Sequence, residues 1–365
     1  MSQNATLDGS CVRYLSDFVN SWHESNSIGI PLWSVISACY FCSSAFALYK
    51  LRSIVTRVNP ENHNFNLKLY ARLLASGLLF CAVSEIFLAI PDRSFTPPPD
   101  SNPNDITTRF LGNKHISTWQ LLYAIGNVQL VATKIFVLVR LLEFSSKYSP
   151  SARLHAPRLR IAMWSIYALF SVTFIGAAAL LFFGTMLSSI SANLYVGANT
   201  VISVARLLMF LALAIIFAYG GILSLTVAQR SLAPLNQTLF AVDNRKSNAK
   251  AIQSRDLMSE LVFKLRVSTA WNVCWFLVVF LFYLLLSLGI TGMRGSWDNV
   301  CDNYQPALTR MIPFLIGPIP TFGMLLGSDV MAAMITLWAM LPSDQRRDSL
   351  KTLSDVRSMD VRSMS

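Results

Sequence analysis

The chain has 365 residues, of which 53 % are hydrophobic and only 13 % are charged, and its net charge at pH 7 is +11. The apolar residues are gathered into seven long stretches, and the basic residues are concentrated in every second gap between them. This arrangement predicts a polytopic membrane protein. Apart from the net charge, nothing in the sequence supports a nucleic-acid partner.

Each apolar stretch is at least as long as the ~20 residues that a helix needs to cross a bilayer. Every backbone amide in lipid needs a partner within the protein, so the stretches are expected to be helices. The predicted spans are Ile28–Leu51, Lys68–Ile90, Ile116–Leu142, Ile161–Met186, Val196–Val227, Phe263–Ile290 and Pro306–Met340. The expected fold class is all-α. A seven-transmembrane helix bundle occupies residues 28–341, between an N-terminal tail (1–27) and a disordered C-terminal tail (342–365).

The distribution of Lys and Arg predicts the orientation of the bundle. Of the 30 basic residues, 21 lie in the C-terminal tail or in and beside the gaps after spans one, three and five, against five on the opposite side. The positive-inside rule then places the N-terminus outside and the C-terminal tail in the cytosol. Asn4-Ala5-Thr6 is a glycosylation acceptor on the predicted outer side. Asn236-Gln237-Thr238 lies in a predicted cytosolic gap and is expected to stay unmodified.

Four residues of the predicted tails and gaps are candidates for covalent modification. Cys11 and Cys301 both fall on the predicted outer side, where a disulfide would persist; a Cys11–Cys301 bridge and two free thiols both remain open. Ser358 and Ser363 each follow an Arg in a tandem repeat near the C-terminus. They are phosphorylation candidates, and the alternative is a disordered tail with a chance duplication.

The sequence offers no pattern for membrane-embedded catalysis, so neither an enzyme nor a cofactor nor a metal site is expected. The four histidines all lie in gaps or tails, namely His23, His63, His115 and His155. Span seven contains no lysine that could hold retinal as a Schiff base. Intramembrane proteases need a Ser–His pair or two aspartates, whereas Asp329 is the only acid in its span and no other span contains an aspartate.

A few charged residues within the spans are therefore the main functional candidates. Glu85 and Arg206 are predicted to lie roughly 7 and 15 Å from the outer surface, where their side chains could meet as an ion pair or line a ligand pocket. The alternative is that each side chain reaches separately to water or lipid headgroups. Lys134, Arg140 and Glu143 lie toward the cytosolic end of span three. They are candidates for coupling to a partner, and a plain interfacial anchor is the alternative.

Two further segments bear on coupling. The longest predicted cytosolic loop is Gln229–Leu261, whose part from Ala249 onward is expected to extend span six inward as a helix. Trp271 and Trp275, four residues apart in span six, could form a packing toggle or serve as ordinary core aromatics.

Span seven is expected to be irregular because Pro313, Gly317, Pro318 and Pro320 fall within eight residues. The whole run would be ~52 Å long as a helix, which exceeds one ordinary crossing. The sequence Gly327-Ser328-Asp329 is therefore interpreted as a helix stop followed by a new N-cap. An apolar helix from Val330 to Met340 is then expected at the inner surface.

Seven spans, a glycosylatable outer N-terminus, a kinked seventh helix and a Ser-rich inner tail together resemble a G-protein-coupled receptor. The resemblance covers nearly the whole chain as topology. The motifs of the rhodopsin-like class are replaced: span three ends in Val139-Arg140-Leu141-Leu142-Glu143, and span seven carries Gly317-Pro318-Ile319-Pro320. The chain is more similar to divergent groups such as fungal receptor-like proteins or the plant proteins that assist tobamovirus multiplication.

The resemblance implies a heptahelical membrane receptor that responds to an unknown extracellular ligand and signals through its cytoplasmic loops to a G protein or another signalling protein. The expected location is the plasma membrane, with an endomembrane as the alternative, and the expected surroundings are the lipid bilayer with its anionic inner leaflet. A transporter or channel and a non-signalling membrane scaffold are the two alternative functions.

Overall fold

The structure is a computed structural model, and it describes residues 29–50, 52, 64–89, 114–148, 150–187, 192–241, 245–294 and 318–340. The regular secondary structure in these ranges is entirely helical, which confirms the predicted all-α class. Within the same ranges, seven helices are long and apolar enough to cross a membrane. The predicted heptahelical topology is therefore confirmed at the level of helix number and type, and the protein is an integral membrane protein.

The seven helices follow the predicted spans in chain order. They are α1 (Gly29–Lys50), α2 (Asn64–Ala89), α3 (Lys114–Tyr148), α4 (Pro150–Met186), α5 (Ala192–Ala241), α6 (Arg245–Arg294) and α7. Helix α7 is α-helical at Pro318–Leu325, π-helical at Leu326–Met331 and α-helical again at Ala332–Met340. The sites predicted in the tails and outer gaps lie outside the described residues, namely Asn4, Cys11, Cys301, Ser358 and Ser363.

Helix α3 is the central helix of the bundle. Of its spanning segment 78 % is buried, against 22 % for α4, and α3 packs against α2, α4, α5 and α7. The outer surface of the bundle is apolar: Leu169, Val172 and Ile222 are each at least 65 % exposed. Such exposure is expected of side chains that face lipid rather than water.

Small residues bring α1, α2 and α3 close together. Ser37 and Ser44 of α1 donate hydrogen bonds to the main-chain oxygens of Ala82 and Ala75 of α2, at 2.8 and 3.0 Å. A Cβ atom added at Gly126 of α3 would lie only 2.7 Å from Cys81 Sγ of α2. This contact is of the small-residue type that lets membrane helices approach closely.

The predicted gap Gln229–Leu261 lies between spanning segments that end at Val227 and begin at Val262, and it is mostly helical. The expected inward extension of span six is confirmed, and α5 is extended as well. Helix α5 continues to Ala241 and α6 begins at Arg245, so only residues 242–244 separate the two helices. The predicted end of each span is the point at which the apolar composition ends. Polar residues such as Gln, Arg and Lys are compatible with a helix, and the helix continues after it leaves the apolar layer.

The predicted break at Gly327-Ser328-Asp329 is also wrong. The helix passes through these residues as a π-helical turn and continues to Met340, so Ile319–Ala339 forms a single spanning segment. Asp329 is 2 % exposed and lies inside the bundle rather than capping a new helix. The expected surface helix Val330–Met340 is thus the second half of the span.

Candidate functional site

The candidate site is built around the π-helical turn in the middle of α7. Such turns interrupt the regular helical hydrogen-bond ladder and are frequent at functional sites. Trp271 of α6 donates from Nε1 to the main-chain oxygen of Gly327 at 3.1 Å, and Lys134 of α3 donates from Nζ to that of Ser328 at 2.6 Å. The π-helical turn is therefore held by side chains from two other helices.

The carboxylate of Asp329 is the centre of a polar cluster at the midpoint of the span Ile319–Ala339. Its Oδ2 accepts hydrogen bonds from the hydroxyls of Tyr40 at 3.0 Å and Tyr123 at 3.2 Å. Its Oδ1 accepts one from Ser328 Oγ at 3.1 Å and lies 4.0 Å from Lys134 Nζ. We call these five residues the α7 cluster; they join α1, α3 and α7.

The Lys134–Asp329 ion pair is almost completely enclosed. The two side chains are 4 % and 2 % exposed, and the Lys134 ammonium also lies 5.4 Å from the centre of the Phe276 ring of α6. Ionisable residues at this depth are rare because of their desolvation cost, and they mark functional sites by default. The pair holds α3 and α7 together, because separating the two groups would leave each charge buried without a partner at a large cost in free energy.

Arg206 of α5 forms a second charged centre, closer to the predicted outer side. Its guanidinium donates a hydrogen bond to the hydroxyl of Tyr283 of α6. The guanidinium carbon lies 4.0 Å from the ring centre of Phe174, 4.9 Å from that of Tyr283 and 5.0 Å from that of Tyr123. Arg206 is therefore enclosed by aromatic rings from α3, α4 and α6.

The positive charge of Arg206 is only partly compensated. Within the described ranges, no carboxylate lies within ion-pair distance of it, and its Nε has no hydrogen-bond partner. A desolvated cation–π contact contributes about 2 kcal/mol. The effective cost of burying an ion is several kcal/mol, and the Tyr283 hydroxyl carries no opposing charge. Among the described residues, the site therefore contains a buried cation without an ion-pair partner.

Arg206 also lines a narrow cavity between four helices, which has no room for a water molecule as the helices stand. Asn127 of α3 contributes an amide oxygen that has no hydrogen-bond partner among the described residues, although the residue is only 3 % exposed. The residues around this Arg206 cavity come from α3, α5, α6 and α7, namely Tyr123, Asn127, Arg206, Phe210, Val279, Tyr283, Met324 and Ser328.

Glu85 of α2 is fully buried but does not pair with Arg206. Its Oε1 accepts a hydrogen bond from Trp119 Nε1 at 3.1 Å, and its Oε2 has no partner among the described residues. The Trp119 ring stacks on Tyr123 with 5.7 Å between ring centres. The structure thus gives the two predicted pocket residues different partners and connects them through Trp119 and Tyr123.

The three predicted coupling residues are divided between two places. Lys134 belongs to the α7 cluster, whereas Arg140 and Glu143 form an ion pair at 3.6 Å nearer the end of α3. Glu143 also lies 3.6 Å from Arg160 of α4. These side chains are 33 to 58 % exposed, and such pairs contribute about 0–1 kcal/mol. They fasten α3 to α4 weakly.

Sequence reasoning did not include Asp329, Tyr40, Tyr123 or Tyr283 among its candidates. One signal was available: Asp329 is the only acid in its span, and an intramembrane acid is a functional candidate by itself. The sequence does not mark the three tyrosines as site residues, because a tyrosine in an apolar stretch gives no indication of which residue its hydroxyl contacts. Among the described residues, no three His, Cys, Asp or Glu side chains are grouped so that they could hold a metal ion.

Comparisons with protein-family models, with curated proteins and with solved structures found no match to this chain.

Proposed function

We propose that the protein is a heptahelical membrane receptor whose ligand binds at the Arg206 cavity. The observation that carries this proposal is that the two helices carrying Arg206 and Tyr283, α5 and α6, are also the two that continue well beyond the apolar layer. Their spanning segments end at Val227 and begin at Val262, so each helix extends about 20–25 Å further. A displacement at the cavity would be transmitted along both helices.

The α7 cluster supplies the element that can change. A ligand that enters the cavity has to displace side chains that line it, such as Arg206 or Tyr283. Tyr123 links this cavity to the α7 cluster, because its ring packs against Arg206 and its hydroxyl donates a hydrogen bond to Asp329. Movement of Tyr123 would weaken the cluster that joins α1, α3 and α7. The partner on the predicted cytosolic side would be a G protein or another signalling protein that recognises the rearranged ends of α5 and α6.

The orientation required by this proposal is testable by glycosylation mapping in microsomes. We expect sugar on Asn4, and also on Asn104 after Ile106→Thr creates the acceptor Asn104-Asp105-Thr in the predicted outer gap. Asn236 is expected to stay unmodified, and Asn4→Gln and Asn236→Gln identify the modified positions. Sugar on Asn236 with none on Asn4 or Asn104 would invert the protein and contradict the receptor proposal.

Transmission from the cavity to the far ends of the helices is testable without a known ligand. Spin labels are placed through unnatural amino acids at Arg153 of α4 and Ser259 of α6, and the distance between them is measured in nanodiscs. Arg206→Gln is expected to shift or broaden the distance distribution because it removes the contacts of the guanidinium with Tyr283 and the surrounding aromatic rings. Leu208→Ala, on the lipid-exposed face of the same helix, is the matched control and should leave the distribution unchanged.

An unchanged distribution in folded Arg206→Gln protein would argue against transmission. Should this variant fail to fold, Tyr283→Phe removes only the hydroxyl that Arg206 contacts and tests the same step.

A transporter is the second candidate, and the α7 cluster is the observation that favours it. Buried charges at a span midpoint beside an irregular helical turn are typical of ion or proton pathways. Proteoliposomes with an internal pH dye separate the two functions. Acidification or alkalinisation driven by an imposed ion gradient, lost in Asp329→Asn, would support transport and contradict the receptor proposal.

A further inference from the structure

We infer that the Arg206 cavity binds a small monoanionic carboxylate with an apolar body. This inference rests on the proposed function, because it names the chemical class of ligand for the same cavity. Arg206 is a buried cation that has no carboxylate within ion-pair distance among the described residues, and its Nε has no hydrogen-bond partner there. A guanidinium binds a carboxylate through parallel N–H donors, which is the geometry that an incompletely paired arginine can offer.

The surrounding charges favour one negative charge rather than two. The other buried cation near the site, Lys134, is already engaged with Asp329 and with the main-chain oxygen of Ser328. Arg206 is thus the one cation free of a carboxylate that lines the cavity within the described ranges, and a phosphate dianion would keep an excess negative charge near Asp329. A carboxylate neutralises Arg206 once and leaves the Lys134–Asp329 pair intact.

The remaining lining specifies the rest of the ligand. Phe210, Val279 and Met324 present apolar surface, while the unpartnered oxygen of Asn127 can accept one hydrogen bond. Because the cavity has no room for a water molecule as the helices stand, a ligand can enter only by spreading α5, α6 and α7. A short aromatic or aliphatic acid that carries a hydrogen-bond donor would satisfy Arg206, Asn127 and the apolar wall together.

The test compares carboxylates with amides of the same shape, using the purified full-length protein in nanodiscs. The probes are glycolate, 4-hydroxybenzoate and 6-hydroxyhexanoate, each paired with the amide of the same shape, and binding is measured by calorimetric titration and by the shift in Tm. At least one carboxylate is expected to bind roughly 10- to 100-fold more tightly than its amide. Arg206→Gln should remove this difference, and Arg206→Lys should restore part of it.

Arg140→Gln is the control for general attraction of anions, because Arg140 is a partly exposed basic residue far from the cavity. Equal binding of acids and amides, no binding by any of the three acids, or unchanged binding in Arg206→Gln would each overturn the inference. Should Arg206→Gln fail to fold, the comparison of acid with amide on the unmodified protein still decides the question.

The outcome is separable from that of the proposed function. Carboxylate binding that depends on Arg206 but leaves the distance between the labels at Arg153 and Ser259 unchanged would support the inferred ligand class and contradict the receptor proposal. A change in that distance that an amide produces as well as a carboxylate would support the receptor proposal and contradict the inferred ligand class.

Discussion

Replacing Asp329 with asparagine is expected to destabilise the protein by about 3–5 kcal/mol, because the substitution leaves the Lys134 ammonium buried without a counter-charge. Asparagine keeps the size of the side chain and an oxygen that can still accept from Tyr40 and Tyr123. The loss therefore isolates the charge rather than the packing. The measurement is the midpoint of unfolding in detergent, followed by size-exclusion chromatography of the folded fraction.

The matched variant on the same ion pair is Lys134→Met. Combined with Asp329→Asn it removes both charges, and the double variant is expected to be more stable than Asp329→Asn alone by about 1–3 kcal/mol, since no unpaired ion remains. Glu143→Gln breaks the exposed pair with Arg140 and should change stability by about 1 kcal/mol or less. A double variant that is no more stable than Asp329→Asn would show that the ion pair does not account for the loss.

The membrane fold could be predicted almost completely from the sequence, because hydropathy acts locally. A run such as Lys68–Ile90 identifies a helix whatever it packs against, and the described α2 spanning segment, Lys68–Ala89, ends within one residue of it. The ends of α5 and α6 could not be found in this way. Hydropathy marks where a chain leaves lipid, and a helix does not have to stop there.

The candidate site could be predicted only in part, because its contacts join residues far apart in the chain. Arg206 and Glu85 were recognisable as charges in apolar surroundings, but the position of each along a helix does not specify its neighbours. Lys134 illustrates the point: it is close in sequence to Arg140, yet its partner is Asp329, 195 positions further along. Depth in the membrane can be calculated from sequence, whereas rotation about the helix axis and the order of helices cannot.

The misinterpretation of Gly327-Ser328-Asp329 has a specific cause. Gly followed by Ser and Asp is a common sequence where one helix stops and another starts in water, where caps compensate for exposed backbone groups. In an apolar bundle the same backbone groups have to be hydrogen-bonded by other helices. Here Trp271 and Lys134 donate hydrogen bonds to the main-chain oxygens of Gly327 and Ser328. Gly327 allows α7 to pack closely against Trp275 of α6, and Asp329 forms the buried ion pair with Lys134.

Replacing Gly327 with alanine is accordingly expected to destabilise the protein by about 1–3 kcal/mol, because an added Cβ would overlap the Trp275 ring of α6. The neighbouring hydrogen bond from Trp271 to the Gly327 oxygen would be strained by the same displacement. Gly323→Ala, one turn earlier on α7, is the control: a Cβ there meets nothing within 4 Å, and the higher helix propensity of alanine predicts no loss. Adding Trp275→Leu should recover part of the stability of Gly327→Ala. Equal unfolding midpoints for the two alanine variants would contradict the close contact between α6 and the π-helical turn.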